Sequence, residues 1–209
     1  MIVNPKIEQY LEGLLPRADS VQREMERRAL KEGFPIVGAQ VGRLLFILAR
    51  SLKARRILEL GSGYGYSALW FARALPDNGE VHLTEWSEEN IISARRYLGG
   101  AGLLAKARFH QGDALSIADH INGRFDIVFN DVDKEHYPEV VDKAVRILRP
   151  GGLLISDNTL WEGKVHRKRV DATTQGVQKY NQRVFSHPKL QTVILPLRDG
   201  VGLSLKLDK

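Results

Sequence analysis

Short apolar runs alternate with amphipathic stretches from Arg55 onward, and this alternation constrains the fold more than any other feature of the sequence. Five runs are predicted as strands: 57–60, 81–84, 107–110, 125–130 and 152–157. The spacing of apolar residues between them predicts helices near 65–75, 88–98 and 135–148. Strands separated by helices are joined by right-handed crossovers, which produce a mainly parallel sheet. The sequence therefore predicts an α/β fold.

The two ends of the chain add helices and a hairpin to this arrangement. Apolar residues recur at helical spacing in residues 1–52 and predict three helices, which end near Pro16, Gly33 and Ser51. Near the other end, two apolar runs are joined through Arg198-Asp199-Gly200, and Asp-Gly between such runs is typical of a hairpin. We expect this hairpin to add an antiparallel pair at one edge of the sheet. The polar stretch 162–183 between these parts carries no predicted element.

Length and composition exclude several classes of protein. The 209 residues fit one domain, 1–209, in which we expect the helical segment 1–52 to pack on a core formed by 53–209. The absence of cysteine excludes a disulfide framework, a thiolate zinc site, an iron–sulfur centre and a cysteine nucleophile. No apolar run approaches the ~20 residues of a membrane span, and the N-terminus lacks the pattern of a secretion signal. We therefore expect a cytoplasmic protein that does not enter a membrane.

A glycine-rich turn follows the first predicted strand. Residues Gly61-Ser62-Gly63-Tyr64-Gly65 lie between this strand and a predicted helix. Glycines allow positive φ and a close approach of a ligand to the backbone, and the N–H groups that begin the helix favour a carboxylate or phosphate. The G-x-G-x-G spacing differs from the dinucleotide-binding pattern, and no Gly-Lys-Ser/Thr follows as in a phosphate-binding loop. By itself the turn is equally compatible with a purely structural role.

Two acidic residues follow the next two strands. Glu85 ends the second predicted strand, where a carboxylate accepts hydrogen bonds from ribose hydroxyls. Gly112-Asp113-Ala114 follows the third strand and is placed to meet the base of the same nucleoside. Together with the glycine turn, these residues predict a ligand that contains a nucleoside.

Oxygen-bearing side chains follow the fourth and fifth strands. Asp131 comes directly after one strand, and Asp157 and Asn158 come after the other. Because the carboxyl ends of parallel strands border the ligand crevice, these three side chains are expected to converge as a Mg²⁺ site. Lys134 could reach the same pocket as a base or charge stabiliser. The alternatives are helix caps for the three oxygen ligands and an exposed salt bridge for Lys134.

These residues resemble a known family. The segments LELGSGYGYSALWFARALP, FDIVFNDVDKEHYPE, LRPGGLLISDN and NTLWEGKV are similar to class I, cation-dependent O-methyltransferases of the caffeoyl-CoA and catechol type, which use S-adenosylmethionine. The resemblance extends from about Val37 to the final hairpin. It implies N-terminal helices followed by a doubly wound, Rossmann-like sheet of seven strands. It also implies that the protein is a homodimer.

The resemblance also implies roles for individual residues. The positions that match cofactor-binding residues are Val37, Glu59, Gly61, Ser62, Gly63, Ser67, Glu85, Asp113, Ala114 and Asp131. Asp131, Asp157 and Asn158 match the ligands of Mg²⁺, for which Mn²⁺ or Ca²⁺ could substitute, and Lys134 matches the general base. One departure is Asn130, which places a polar group where the family has an apolar residue.

The resemblance implies methyl transfer to a hydroxyl of a metal-chelated, catechol-like small molecule, but a basic loop leaves a second substrate open. The net charge is +6, from 31 Lys and Arg against 25 Asp and Glu, and part of this excess lies in residues 164–169. The loop could hold the phosphates of a tRNA whose 5-hydroxyuridine is methylated, or it could be a solvated surface. A third alternative is a non-catalytic protein that binds S-adenosylmethionine. The glycine spacing disfavours an NAD-dependent dehydrogenase.

Overall fold

The computed structural model describes residues 2–208, which contain one seven-stranded sheet. Its strands are β1 Arg56–Leu60, β2 Glu80–Glu85, β3 Ala107–Gln111, β4 Phe125–Asn130, β5 Leu148–Ser156, β6 Leu190–Leu195 and β7 Val201–Lys206. Their order across the sheet is β3-β2-β1-β4-β5-β7-β6. Strands β1 to β5 are parallel, whereas β7 pairs antiparallel with both β5 and β6. The prediction of a mainly parallel sheet with an antiparallel C-terminal hairpin is therefore confirmed.

Helices precede the sheet and connect its strands. Their bounds within residues 2–208 are α1 Pro5–Gly13, α2 Ser20–Glu32, α3 Gly38–Ser51, α4 Tyr66–Ala74, α5 Glu88–Gly100, α6 Ala114–His120, α7 Tyr137–Ile147 and α8 Ala172–Ser186. The three predicted N-terminal helices are thus present. Over the same residues, no helix combines the length and the apolar character that crossing a membrane requires.

Each face of the sheet carries its own apolar core. Successive strand residues point to opposite faces, so Ile57 and Leu58 belong to different cores although they are neighbours in β1. Helices α3, α4 and α5 pack on the face of Ile57, and α6, α7 and α8 pack on the face of Leu58. The arrangement is the doubly wound one that the family resemblance implies, in which the carboxyl ends of the parallel strands border the ligand crevice.

Two helices were not predicted from the sequence. α8 begins inside the polar stretch 162–183 and continues beyond it to Ser186, and only scattered apolar residues such as Val177 and Tyr180 reach the core. α6 is a seven-residue helix, too short for a helical period to stand out. Both helices begin at a capping aspartate, since Asp171 accepts a hydrogen bond from the N–H of Thr174 and Asp113 caps α6 in the same way. An aspartate cap was therefore the local signal that could have located them.

The pairing of β4 with β5 decides where the acidic side chains lie. Asn130 is directly opposite Ser156, the last residue of β5. Asp131 and Asp157 follow these two residues, so they leave neighbouring strands at the same edge of the sheet. The N–H of Asp157 donates to the carbonyl of Asn130 at 3.1 Å, which extends the pairing of the two strands as far as Asp157.

Close packing of α3 on α4 depends on Gly42. A Cβ atom built on Gly42 would lie 2.1 Å from Nε1 of the buried Trp70 in α4. We expect Gly42→Ala to lower the free energy of unfolding by ~1–3 kcal/mol, because the indole ring has to move within a packed core. Gly99→Ala is the matched control, since a Cβ on this glycine of α5 meets no atom within 4 Å. Urea denaturation of both variants measures the difference, and equal stability of the two would contradict the packing argument.

Candidate active site

A cleft of about 1590 Å³ lies at the carboxyl ends of the parallel strands. Its walls come from the loops after β1 to β5, from α1 and α2, from the segment between α2 and α3, and from the loop between β6 and β7. The predicted site residues that line it are Val37, Gly61, Ser62, Gly63, Ser67, Glu85, Asp113, Ala114, Asp131, Lys134, Asp157 and Asn158. Glu59 lies just below, fully buried in β1. The structure therefore brings the predicted residues together around one cavity.

The glycine turn forms the floor of this cleft. Gly61 and Gly63 have φ of 81° and 49°, in the left-handed region. A Cβ atom on Gly61 would lie 2.6 Å from the carbonyl oxygen of Asp131, so only glycine lets the turn approach the loop after β4. α4 begins directly after Gly65 without a side-chain cap. The first N–H groups of this helix therefore point toward the cleft without a capping side chain.

Glu59 is a buried carboxyl group beneath the turn. Burial raises the pKa of Glu59 to about 8, although the hydroxyl groups of Ser67 and Ser62 oppose this rise. Among residues 2–208, neither carboxyl oxygen of Glu59 has a hydrogen-bond partner of good geometry, and the same holds for Oγ of Ser62. Buried polar groups without partners are costly. Their place beside the cleft suits a polar ligand that supplies the missing hydrogen bonds.

The loops after β2 and β3 present two anchored carboxylates. Oε1 of Glu85 accepts hydrogen bonds from the N–H of Ser87 at 2.9 Å and from the amide of Asn90 at 3.3 Å. Asp113 faces the same cleft while it caps α6. The side chain of Trp86, which sequence reasoning missed, is exposed and also lines the cleft. A large aromatic residue directly after a strand-end acid was the signal that could have identified it.

Two carboxyl groups share the corner between β4 and β5. Desolvation raises the pKa of Asp131, and Lys134 opposes the rise. Burial, together with the charge of Asp131, raises the pKa of Asp157 to about 7. The residues that precede the neighbouring helical segments are Asp133, His136 and Leu160, so the alternative in which the predicted metal ligands cap helices is wrong.

Lys134 is bound inside this corner. Its Nζ donates to Oδ1 of Asp131 at 2.8 Å and lies 4.8 Å from the ring centre of Tyr137 and 5.8 Å from that of Trp161. Only 11% of the Lys134 side chain is exposed. The pair is therefore part of the cleft, and the alternative of an exposed salt bridge is wrong.

The donor set at this corner is two carboxylates and one amide. Over residues 2–208, no group of three or more His, Cys, Asp or Glu side chains is arranged to hold a metal. Asn158 contributes the third side chain from a left-handed backbone conformation with φ of 53°. Oxygen ligands of this kind suit a hard cation such as Mg²⁺ that keeps several waters.

A buried polar network lies behind the carboxyl groups. The amide of Asn130 donates to Oγ of Ser156 at 3.2 Å, and this oxygen is also bonded to the hydroxyl of Tyr180. The hydroxyl of Tyr137 donates to the carbonyl of Asp157 at 2.9 Å. Asn130, the departure from the family pattern, thus has a structural partner on the neighbouring strand.

The loop between β6 and β7 contributes two charged residues, Arg198 and Asp199, to the cleft. The sequence predicted only that these residues belong to a hairpin. Nη1 of Arg198 donates to the carbonyl of Ile36 at 2.8 Å, and its positive charge opposes the rise that burial causes in the pKa of Asp131 and Asp157. Asp199 accepts a hydrogen bond from the amide of Asn158. A sequence pattern could not have found either residue, because they are distant in the chain from the groups they contact.

The basic loop, residues 164–169, follows Trp161 and Glu162, which line the cleft, but the loop itself does not line it. Lys164 pairs with Glu162, whereas Arg167, Lys168 and Arg169 are exposed and form no ion pair with any residue from 2 to 208. The amide of Gln178 in α8 donates to the carbonyl of Arg167 at 2.9 Å and holds the loop against that helix. These three cationic side chains therefore project into solvent.

The protonation of Glu59 makes the stability of the protein depend on pH. Its pKa is raised from the usual 4.5 to about 8, so between these values the folded protein keeps a proton that the unfolded chain releases. We expect the free energy of unfolding, without ligands, to fall as the pH rises from 5 to about 8, with Asp157 contributing in the same direction.

Glu59→Gln cannot lose this proton and tests the assignment. Because a neutral amide removes the penalty for a buried carboxylate, we expect the variant to be more stable than the unchanged protein at pH 8 and to show a shallower pH dependence. Urea denaturation between pH 5 and 9 provides the measurement. An unchanged slope would mean that Glu59 is ionised in the folded protein.

Known proteins with similar sequences and structures are O-methyltransferases. The chain is 30% identical to the catechol O-methyltransferase of Niastella koreensis, over 95% of this chain and 96% of the relative. It is also 30% identical to the caffeoyl-CoA O-methyltransferase of Petroselinum crispum, over 92% of this chain and 86% of the relative.

Solved structures agree with these relatives. The O-methyltransferase TomG from Streptomyces achromogenes, involved in tomaymycin synthesis and solved in complex with SAM, superimposes with a TM-score of 0.88 at 31% identity, covering 97% of this chain and 96% of TomG. A methyltransferase from Geobacter sulfurreducens has a TM-score of 0.87 at 33% identity, covering 100% of this chain and 98% of its own. The family model described as O-methyltransferase matches residues 19–207. The chain therefore belongs to the O-methyltransferase family.

Proposed function

We propose that this protein transfers a methyl group from S-adenosylmethionine to a hydroxyl of an ortho-dihydroxy, catechol-like small molecule bound through a divalent cation. The observation that carries the proposal is the corner where Asp131, Asp157 and Lys134 face the cleft that also contains the glycine turn. Catechol and caffeoyl-CoA O-methyltransferases are among the relatives, which supports this substrate class.

The floor and one wall of the cleft fit S-adenosylmethionine, which supplies the methyl group when bound. Ser62, Ser67 and the buried Glu59 offer polar partners to the amino-acid part, and the open N-terminus of α4 favours its carboxylate. Glu85 suits the ribose hydroxyls, and Asp113 with Ala114 suits the base. The complex of TomG with SAM supports this assignment.

The opposite wall fits a divalent cation. Asp131, Asp157 and Asn158 would hold it through oxygen atoms, and Mg²⁺, Mn²⁺ or Ca²⁺ are compatible with this donor set. When bound, the cation supplies positive charge that stabilises the oxyanion of a chelated hydroxyl. It would also compensate the two like charges, whose proximity adds to the effect of burial in raising the pKa of Asp157.

Lys134 acts on the proton of the substrate hydroxyl. Its Nζ lies 2.8 Å from Oδ1 of Asp131, and the rings of Tyr137 and Trp161 border it on other sides. These rings limit the access of water, so charge interactions within the corner are less screened than in solvent. The uncharged amine of Lys134 would accept the proton from the substrate hydroxyl and hold it on Nζ while the methyl group moves.

The remaining residues position the two reactants. A methyl group moves from sulfur to oxygen along a line, so both partners must be held at a fixed separation. Positioning of this kind contributes ~7–11 kcal/mol in well-oriented reactions. The rigid strand ends that carry Glu59, Asp131 and Asp157 suit this requirement. A homodimer and a location in the cytoplasm stay predictions.

The basic loop favours a second candidate substrate. Arg167, Lys168 and Arg169 are exposed a few residues after the cleft-lining Trp161 and Glu162, and they could bind the phosphates of a tRNA. A tRNA that carries 5-hydroxyuridine would then present adjacent oxygens to the cation. Transfer of labelled methyl groups to such a tRNA, lost when the three residues are changed to Gln, would favour this candidate over small catechols.

Asp157→Ala separates the proposed metal site from the cofactor site. We expect methyl transfer to a simple catechol in the presence of Mg²⁺ to fall at least ~100-fold, because one of three protein ligands is removed. Binding of S-adenosylmethionine, measured by calorimetry without metal, should change less than about threefold. If cofactor binding disappears as well, Asp157 does not have the role assigned to it.

Lys134→Met tests the proton acceptor. Removal of a general base lowers kcat by ~10²–10⁴-fold, and we expect such a loss with little change in KM for S-adenosylmethionine. Lys134→Arg is the matched control, because it keeps the positive charge but cannot lose a proton at neutral pH. Steady-state kinetics should show both variants to be slow. Recovery of kcat in Lys134→Arg would show that charge alone is sufficient.

A further inference from the structure

Asp199 ties the loop between β6 and β7 to the segment that carries a proposed metal ligand. Its Oδ2 accepts a hydrogen bond from Nδ2 of Asn158 at 3.3 Å, and its Oδ1 accepts one from the N–H of Glu162. Two backbone bonds join the same segments, from the N–H of Thr159 to Gly200 at 3.0 Å and from that of Leu160 to Asp199 at 2.9 Å. Both oxygens of the Asp199 carboxylate are therefore engaged beside the cleft.

The close approach of the two segments requires a glycine. Gly200 has φ of 88°, and a Cβ atom there would lie 2.5 Å from Cγ of Leu160 and 2.8 Å from its nitrogen. A side chain at this position would separate the loop from residues 158–162. The contact between Asp199 and Asn158 thus depends on backbone geometry as well as on the side chains.

The chemistry of the two groups determines how the Asn158 amide is turned. An ionised carboxylate only accepts hydrogen bonds, so it selects the NH₂ end of the carboxamide. The oxygen of Asn158 is then directed away from Asp199 and is free to bind a cation. Without this partner the terminal torsion of Asn has two nearly equivalent orientations, and one of them presents NH₂ to the cation.

The same carboxylate fixes a wall of the cleft. It accepts a hydrogen bond from the N–H of Glu162, the residue directly after Trp161. The ring of Trp161 lies 5.8 Å from Nζ of Lys134. Glu162 has φ of 52° and Trp161 has φ of 43°, so this turn has an uncommon backbone conformation. A hydrogen bond to its backbone stabilises that conformation.

We propose that Asp199 is a positioning residue that holds the Asn158 carboxamide with its oxygen available to the divalent cation and holds the turn that carries Trp161. The proposal rests on the proposed metal-dependent function. Partners of this kind, which orient a metal ligand without touching the metal, typically change metal affinity 10–100-fold when removed. Asp199 would therefore affect cation binding more than cofactor binding.

Direct binding of Mn²⁺ to the protein, measured by electron paramagnetic resonance of the free ion, tests the proposal without an activity assay. We expect Asp199→Ala to weaken Mn²⁺ binding ~10–100-fold, with binding of S-adenosylmethionine changed less than about threefold. Glu162→Ala is the control, because it removes a nearby carboxylate but keeps the backbone N–H, and it should bind Mn²⁺ like the unchanged protein.

A second background separates orientation from charge. In Asn158→Asp either carboxylate oxygen can face the cation, so adding Asp199→Ala should leave Mn²⁺ binding unchanged or tighten it. An equal loss of affinity in both backgrounds would mean that Asp199 acts only through its charge and would overturn the proposal. Absence of Mn²⁺ binding in the unchanged protein would instead refute the proposed metal site itself.

Asp199→Asn covers the case in which Asp199→Ala does not fold. Asn158 and Glu162 donate to different oxygens of Asp199, and the substitution replaces one of these oxygens with an NH₂ donor, so one hydrogen bond is lost and we expect weaker Mn²⁺ binding than in the unchanged protein. Thermal unfolding and binding of S-adenosylmethionine verify that this variant is folded. Folded Asp199→Asn with unchanged Mn²⁺ affinity would overturn the proposal.

Discussion

The repulsion between two carboxyl groups at the ends of β4 and β5 is the interaction on which the site depends. Parallel pairing places Asn130 opposite Ser156, and Asp131 and Asp157 follow them into the same corner. Burial raises the pKa of both carboxyl groups, and the charge of Asp131 raises that of Asp157 further. Lys134 and Arg198 partly offset these two charges, and the corner remains suited to a cation that binds there.

The surrounding polar groups keep this corner in place. Behind it, Asn130 and Ser156 join the two strands with a buried hydrogen bond, and the hydroxyl of Tyr137 holds the carbonyl of Asp157. In front of it, Asp199 turns the amide of Asn158. These contacts come from β4, β5, α7 and the last hairpin, so the corner is rigid because elements distant in sequence converge on it.

Much of the fold and the site follows from patterns that are local in sequence. Strand runs that end in Gly61, Glu85, Asp131 and Asp157 predicted both the sheet and the edge at which these residues meet. Residues whose contacts are distant were not predictable in this way: nothing near Asp199 in the sequence indicates Asn158 as its partner. α8 was missed for a related reason, since its polar sequence becomes a helix through packing on the sheet and through the cap at Asp171.

The central claim is that a divalent cation in this corner makes the methyl acceptor reactive. Its most direct test is the transfer of a labelled methyl group from S-adenosylmethionine to a simple catechol, with Mg²⁺ and then with excess chelator. We expect product with Mg²⁺, none in chelator, and recovery when Mg²⁺ or Mn²⁺ is added back. An equal rate of transfer in excess chelator would contradict this claim.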